Sequence, residues 1–225
     1  MSDLAKKATE ALVQYLLALA VLLFAAAWTL NYWQAWLYLA VFGGCCAAIS
    51  AYLMKYDRPL LERRMKIGSK AEQQPAQKRI IRVSGLIYLA IMIFPAVDHR
   101  LGWSPVPVAA SIAGEAAVAL GLYIVFATFR ANSFTAATVE VAEGQALADT
   151  GPYAVVRHPM YLGGLIMLLG TPLALDSALG MLLDIPMALA LAWRLTDEES
   201  LLRQDLPGYE DYHRRVRWRL VPGVW

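Results

Sequence analysis

The sequence predicts an all-α, polytopic integral membrane helical bundle with no Rossmann domain, and three observations carry that expectation. Hydrophobic residues make up 59% of the 225-residue chain and charged residues only 17%, a balance beyond what a large soluble core requires. The charges are clustered, so the apolar runs between them approach the ~20 residues a helix needs to cross a hydrocarbon layer of roughly 30 Å. The basic residues are also placed very unevenly, which the formal net charge of +2 conceals.

Lys6 and Lys7 precede an apolar run from Ala11 to Leu30. That run is too long for the core of a signal peptide and has no convincing cleavage site, so a retained first span is expected. A second span runs from Trp33 to about Met54, and Trp28, Tyr32 and Trp33 around the intervening turn suit a membrane interface. The adjacent Cys45 and Cys46 lie inside this run and cannot readily bridge each other. They are expected as small buried hydrophobes, with no disulfide framework and no metal site.

From Lys55 to Arg82 the chain holds nine Lys or Arg residues, with Leu60, Leu61, Met65 and Ile67 among them. Asp57 ahead of Pro59 marks a helix start, and both a short helix on the membrane surface and a solvated basic loop fit the pattern. Span three is expected over about 81–97, before Asp98, His99 and Arg100. Span four is expected over about 107–129 and contains Gly114 and Glu115. An intramembrane glutamate is a functional candidate by default, but the place of Glu115 near the outer end fits a polar helix–helix contact better. A polar connection then leads to His158. The last apolar stretch, from Met160 to Trp193, is interrupted by Thr171, Pro172, Asp176 and Ser177, and so reads as two helices turning near Asp176. The count is six spans, or five if that hairpin is re-entrant.

With the loops assigned alternately and the N-terminus inside, every Lys and Arg except Arg100 falls on the inner side. The positive-inside rule then places both termini in the cytoplasm, in what is expected to be a bacterial inner membrane.

Two polar clusters flank the last hairpin. In the first, 150–165 (TGPYAVVRHPMYLGGL), His158-Pro159 opens a helix near Met160 whose unpaired amides favour an anionic group. Tyr153 and Tyr161 offer aromatic faces and hydroxyls, Arg157 a fixed charge, and Gly163 and Gly164 close backbone approach. Taken singly, these residues also suit a headgroup anchor, an aromatic belt and helix packing; their density at one interface favours a site. In the second, 194–202 (RLTDEESLL), Arg194 and Glu198 stand four apart with Glu199 beside them. A surface ion pair and a ligand site for a cation or a carboxylate both fit.

The tail from Leu206 mixes Tyr209, Tyr212, Trp218 and Trp225 with Arg214, Arg215, Arg217 and Arg219. Beside a bilayer this is expected to be an interfacial helix against anionic lipid, not a nucleic-acid surface. The chain has no G-x-G-x-x-G, P-loop, G-x-S-x-G or paired-histidine metal spacing.

Taken in order, G-x-Y (Gly151, Tyr153), R-H-P-x-Y-x-G (Arg157, His158, Pro159, Tyr161, Gly163) and R-x-x-x-E-E-x-x-L (Arg194, Glu198, Glu199, Leu202) resemble the isoprenylcysteine carboxyl methyltransferase family and its relatives among membrane phospholipid methyltransferases. RPLLERR after span two resembles its bacterial members, and the tail is also similar. The resemblance is good over the C-terminal half and extends to the first two spans only in hydropathy. It implies S-adenosylmethionine as methyl donor, held by Tyr153, Arg157, His158, Tyr161, Gly163, Gly164, Glu198 and Glu199. Arg194, Glu198 and Glu199 would be catalytic, acting on a lipophilic acceptor reached from the membrane lipid, with carboxylate O-methylation expected. The chain would be a single membrane domain, 1–225. It would comprise an N-terminal hairpin (1–54), a cytoplasmic or interfacial segment (55–80), spans three and four (81–130) and a cofactor-binding and catalytic region (131–225). ALAW before Arg194 departs from the aromatic residues of eukaryotic members, which leaves a different lipophilic carboxylate, an amine or a thiol open. The rival readings are an NADPH-dependent membrane reductase of the sterol-reductase type and a non-enzymatic membrane scaffold or transporter.

Overall fold

A computed structural model describes residues 3–65, 72, 74–135 and 146–225. Parts of the basic segment after span two (66–71 and 73) and of the polar connection (136–145) lie outside the described residues. Among the described residues, eight α-helices follow in order: α1 (Asp3–Ala27), α2 (Trp33–Tyr56), α3 (Arg58–Met65), α4 (Pro75–Leu101), α5 (Val108–Ala131), α6 (Pro159–Ala174), α7 (Asp184–Asp205) and α8 (Tyr209–Arg215). Five helical stretches are long and apolar enough to cross a membrane, and α6 is a shorter apolar helix. The chain is an integral, multi-pass helical bundle.

The helices outrun their apolar cores for local reasons. α1 begins eight residues before the apolar run, where Asp3–Lys7 and Lys6–Glu10 pairs at i,i+4 spacing support an exposed first turn. α4 starts with Pro75 in its first turn and ends at Gly102, whose φ of 64° forms a left-handed cap. The expected start at Asp57 is found: its Oδ1 accepts the Leu60 amide at 3.1 Å, capping α3. Leu60 and Leu61 of α3 are buried against Leu53 and Phe129, so Arg58–Met65 is a helix packed on the bundle and not a solvated loop.

α6 has 16 residues, about 24 Å at 1.5 Å per residue, and its hairpin reaches the far end of the bundle. The turn falls at Asp176, with φ of 63°, and meets the loops at the far end. Asp176 accepts the Val106 amide at 2.9 Å and pairs with His99 Nδ1 at 2.8 Å. Ser177 donates to Asp98 at 2.5 Å, and Tyr32 donates to the Leu175 carbonyl at 2.5 Å. Three turns are thereby tied together by buried polar groups at one end, which leaves the two motif-bearing ends of α6 and α7 at the other.

The α5–α6 contact sets the site. A Cβ on Gly121 would lie 2.4 Å from the Gly163 carbonyl oxygen, and one on Gly114 would lie 2.7 Å from that of Gly170. Only glycine allows backbones this close, and close packing of small residues is what holds helices together in lipid. The pairing is antiparallel, so the end of α5 meets the start of α6. Among the described residues, every Lys and Arg but Arg100 lies at or beyond this same end; Arg100 sits over the Trp28 ring at 5.1 Å.

The tail differs from the expected interfacial helix. Only Tyr209–Arg215 is helical, because the carbonyls that follow bind elsewhere. Arg157 and His158 donate their amides to Trp218 and Arg219 at 2.9 and 3.0 Å. Arg157 Nη1 reaches the Val216 and Arg217 carbonyls, both at 2.8 Å. The segment 216–219 is therefore a strap across the back of the first motif.

Candidate active site

A cleft opens where the first motif, the end of α5, and the ends of α7 and α8 converge. It encloses about 770 Å³ of space free of protein atoms, the open solvent at its mouth included. Tyr153, Arg157, His158 and Tyr161 line it from the first motif and Glu198 from the second.

Tyr153 is carried on a short 3₁₀ turn, Gly151–Ala154, entered through Gly151 at φ 58°. Tyr212 donates to its carbonyl at 2.8 Å, and Asn132 Nδ2 donates to its hydroxyl at 3.3 Å. Burial pushes the Tyr153 and Tyr209 hydroxyls above the ordinary tyrosine range, so both remain phenols at neutral pH. His158 is the residue before Pro159, the first of α6, and α6 presents its free first-turn amides beside it.

The two glutamates face different partners. Glu199 is buried, and its Oε1 accepts from Arg157 Nε at 2.8 Å and lies 3.1 Å from His158 Nε2, while its Oε2 accepts from Arg219 at 3.0 Å. It is the hub that bolts α7 to the first motif and the strap, and it stands behind the cleft wall. Glu198 faces the cleft, and its Oε2 accepts from Tyr161 at 2.6 Å. The Tyr161 hydroxyl in turn accepts from Arg194 Nε at 2.8 Å.

Arg194 is buried and is not the surface residue that i,i+4 spacing allowed. It also donates to Gln77 at 2.8 Å and to Glu72 at 2.9 Å, and it stands outside the cleft lining. Gly163 packs against Gly121, and a Cβ on Gly164 would meet nothing within 4 Å; neither lines the cleft. The sequence reading missed Asn132, Thr135, Leu147, Leu202, Leu206 and Tyr209 as lining residues. Tyr209 and Leu202 were visible in the tail and the acidic motif. Asn132, Thr135 and Leu147 belong to a polar connection with no spacing signal.

The lining suits a zwitterionic donor with a sulfonium charge. It combines one carboxylate, phenol faces, an apolar side made by Leu147, Leu202 and Leu206, and helix amides for a carboxylate. The buried Tyr209 hydroxyl has no hydrogen-bond partner among the described residues.

Comparison with known proteins covers this same region. Residues 109–206 match the phospholipid methyltransferase family. The phospholipid methyltransferase match begins at the start of α5 and ends at Leu206, so it includes both motifs and leaves out α1–α4 and the strap. The relationship expected from those motifs is thus found. Two curated relatives are also similar. The Delta(14)-sterol reductase TM7SF2 of Mus musculus is 33% identical over 39% of this chain and 22% of its own length. The nickel-cobalt-cadmium resistance protein NccN of Alcaligenes xylosoxydans xylosoxydans is 32% identical over 31% of this chain and 33% of its own. The chain therefore spans about a fifth to a third of the curated relatives it matches. Among the described residues, no group of three or more His, Cys, Asp or Glu is placed to hold a metal ion.

Proposed function

We propose that this protein transfers a methyl group from S-adenosylmethionine to a lipophilic acceptor at the cytoplasmic face of the membrane, with both termini on that side. The observation that carries the reading is the cleft built jointly by the two motifs, both of which lie inside the phospholipid methyltransferase match, with Glu198 lining it.

S-adenosylmethionine, when bound, supplies an electrophilic methyl group. Glu198 is placed to receive a cationic ammonium, the α6 amides and His158 a carboxylate, and Tyr153, Tyr209 and Tyr212 a sulfonium or an aromatic ring. The Glu199 hub keeps Arg157 and His158 in place. Alignment and exclusion of water by this wall supply much of the acceleration available to a displacement.

Carboxylate O-methylation is the favoured chemistry. A carboxylate acceptor needs no general base, and Arg194 already holds one carboxylate, that of Glu72, at 2.9 Å. An amine or thiol acceptor would have to lose a proton, for which Glu198, through the Tyr161 hydroxyl, is the available base. The test is transfer of tritiated methyl from the donor into extracted lipid. Alkali-labile counts released as methanol are expected; alkali-stable counts would move the acceptor to an amine or thiol, and no counts from any lipid extract would remove the methyl-transfer reading.

The similarity to a sterol reductase supports a second reading, reduction with NADPH, which predicts nicotinamide dinucleotide binding in the same cleft.

A further inference from the structure

Behind the donor wall lies a second cleft that methyl transfer does not use. Arg157, Arg214, Arg217 and Arg219 converge on it with Trp218 and Trp225, and no Asp or Glu side chain lines it. Arg157 and Arg219 share the single charge of Glu199. Arg214 lies 3.7 Å from Glu210 and 3.9 Å from Asp211 in exposed pairs, which neutralise little. Arg217 makes no ion pair among the described residues. The cleft therefore carries surplus positive charge.

Its rim is apolar in a way that water does not favour. Val224, next to the lining residue Trp225, is 78% exposed and Trp218 39% exposed. Exposed arginine with exposed tryptophan is the composition of an interface with anionic headgroups. The cleft also connects to the donor site, since Arg157 lines both openings and the strap carbonyls hold the Arg157 and His158 amides.

We propose that this second cleft holds the phosphate of an anionic membrane lipid, with Arg214 and Arg217 on the phosphate oxygens and Trp218 and Val224 in the headgroup layer. A lipid bound there pins the strap and, through it, the back of the donor wall.

Native mass spectrometry of the detergent-purified full chain tests this, with phosphatidylglycerol and phosphatidylcholine of matched acyl chains as probes. The wild type retains phosphatidylglycerol in preference to phosphatidylcholine. The double variant Arg214→Gln, Arg217→Gln weakens phosphatidylglycerol about thirtyfold, roughly fivefold for each arginine, and leaves phosphatidylcholine unchanged. Arg214→Lys, Arg217→Lys keeps the preference, because a phosphate is held largely by charge. Millimolar inorganic phosphate does not displace the lipid. Equal phosphatidylglycerol affinity in the wild type and the glutamine variant overturns the proposal. So does an equal loss in the lysine variant, and displacement by inorganic phosphate would assign the cleft to a soluble anion instead. No methyl donor is present, so the outcome stands apart from the proposed reaction.

Discussion

Glu198 and Glu199 are neighbours in sequence that face different partners, and glutamine substitution separates the roles proposed for them. Glu199→Gln keeps the side-chain shape and removes the charge shared by Arg157, His158 and Arg219, of which Arg157 and His158 each have a side chain only 3% exposed. Removing one partner of a buried ion pair costs about 3–5 kcal/mol, and the remaining amide oxygen places this variant towards the lower figure. Glu198→Gln still accepts from Tyr161, so its effect on the fold stays within about 1 kcal/mol. It does lose a charged partner for the donor, worth about 1.5 kcal/mol or more and thus at least about tenfold in affinity. Thermal unfolding in detergent, followed with a thiol-reactive dye on the half-buried Cys45 and Cys46 of α2, reads the first effect. Titration with S-adenosylhomocysteine reads the second. Equal melting of the two variants, or a lower melting temperature for Glu198→Gln than for Glu199→Gln, refutes the division of labour.

Tyr161→Phe removes the hydroxyl that links Arg194 to Glu198; methyl transfer is expected to slow by roughly ten- to hundredfold, and stability to fall by about 1–3 kcal/mol because the buried Arg194 Nε loses its partner. Gly121→Leu forces a side chain into the α6 backbone and is expected to cost more than the ~1–3 kcal/mol of ordinary overpacking. Gly164→Ala, with open space beside it, is expected to be neutral or slightly stabilising, and paired melts check both. Tyr209 is raised by burial and then by the nearby Glu199 charge. A raised folded-state value contributes stability that is complete below the unfolded tyrosine value of about 10 and is lost as pH rises above it. Melting should thus hold steady to about pH 10 and fall beyond it, with phenolate absorbance at 295 nm lagging behind that of the unfolded chain.

The hairpin at Asp176, the start at Asp57 and the helix opening at Pro159 were all legible in the sequence, because each rests on local chemistry: a polar break, a side-chain cap, a proline in a first turn. The juxtaposition of the two motifs was legible too, since spans of similar length return to the same end. What could not be read was which neighbour a polar residue would choose. Arg194 at i,i+4 from Glu198 fitted both a surface pair and a ligand site, yet α4 brings Gln77 to its guanidinium and Glu72 reaches it from just ahead of that helix. Neither partner is encoded in the local spacing. Gly163 sits inside a motif but serves the α5 contact, as Gly121 shows from the other side. The tail has the composition of an interfacial helix and becomes a strap because Arg157, some sixty positions away, takes its carbonyls.

The central claim is that the cleft between the two motifs takes the adenosyl donor and not a nicotinamide dinucleotide. Calorimetric titration of the detergent-purified protein with S-adenosylhomocysteine and, separately, with NADPH tests it most directly. Saturable heat with S-adenosylhomocysteine alone, weakened at least about tenfold by Glu198→Gln, is the expected result. Saturable heat with NADPH and none with S-adenosylhomocysteine would contradict it.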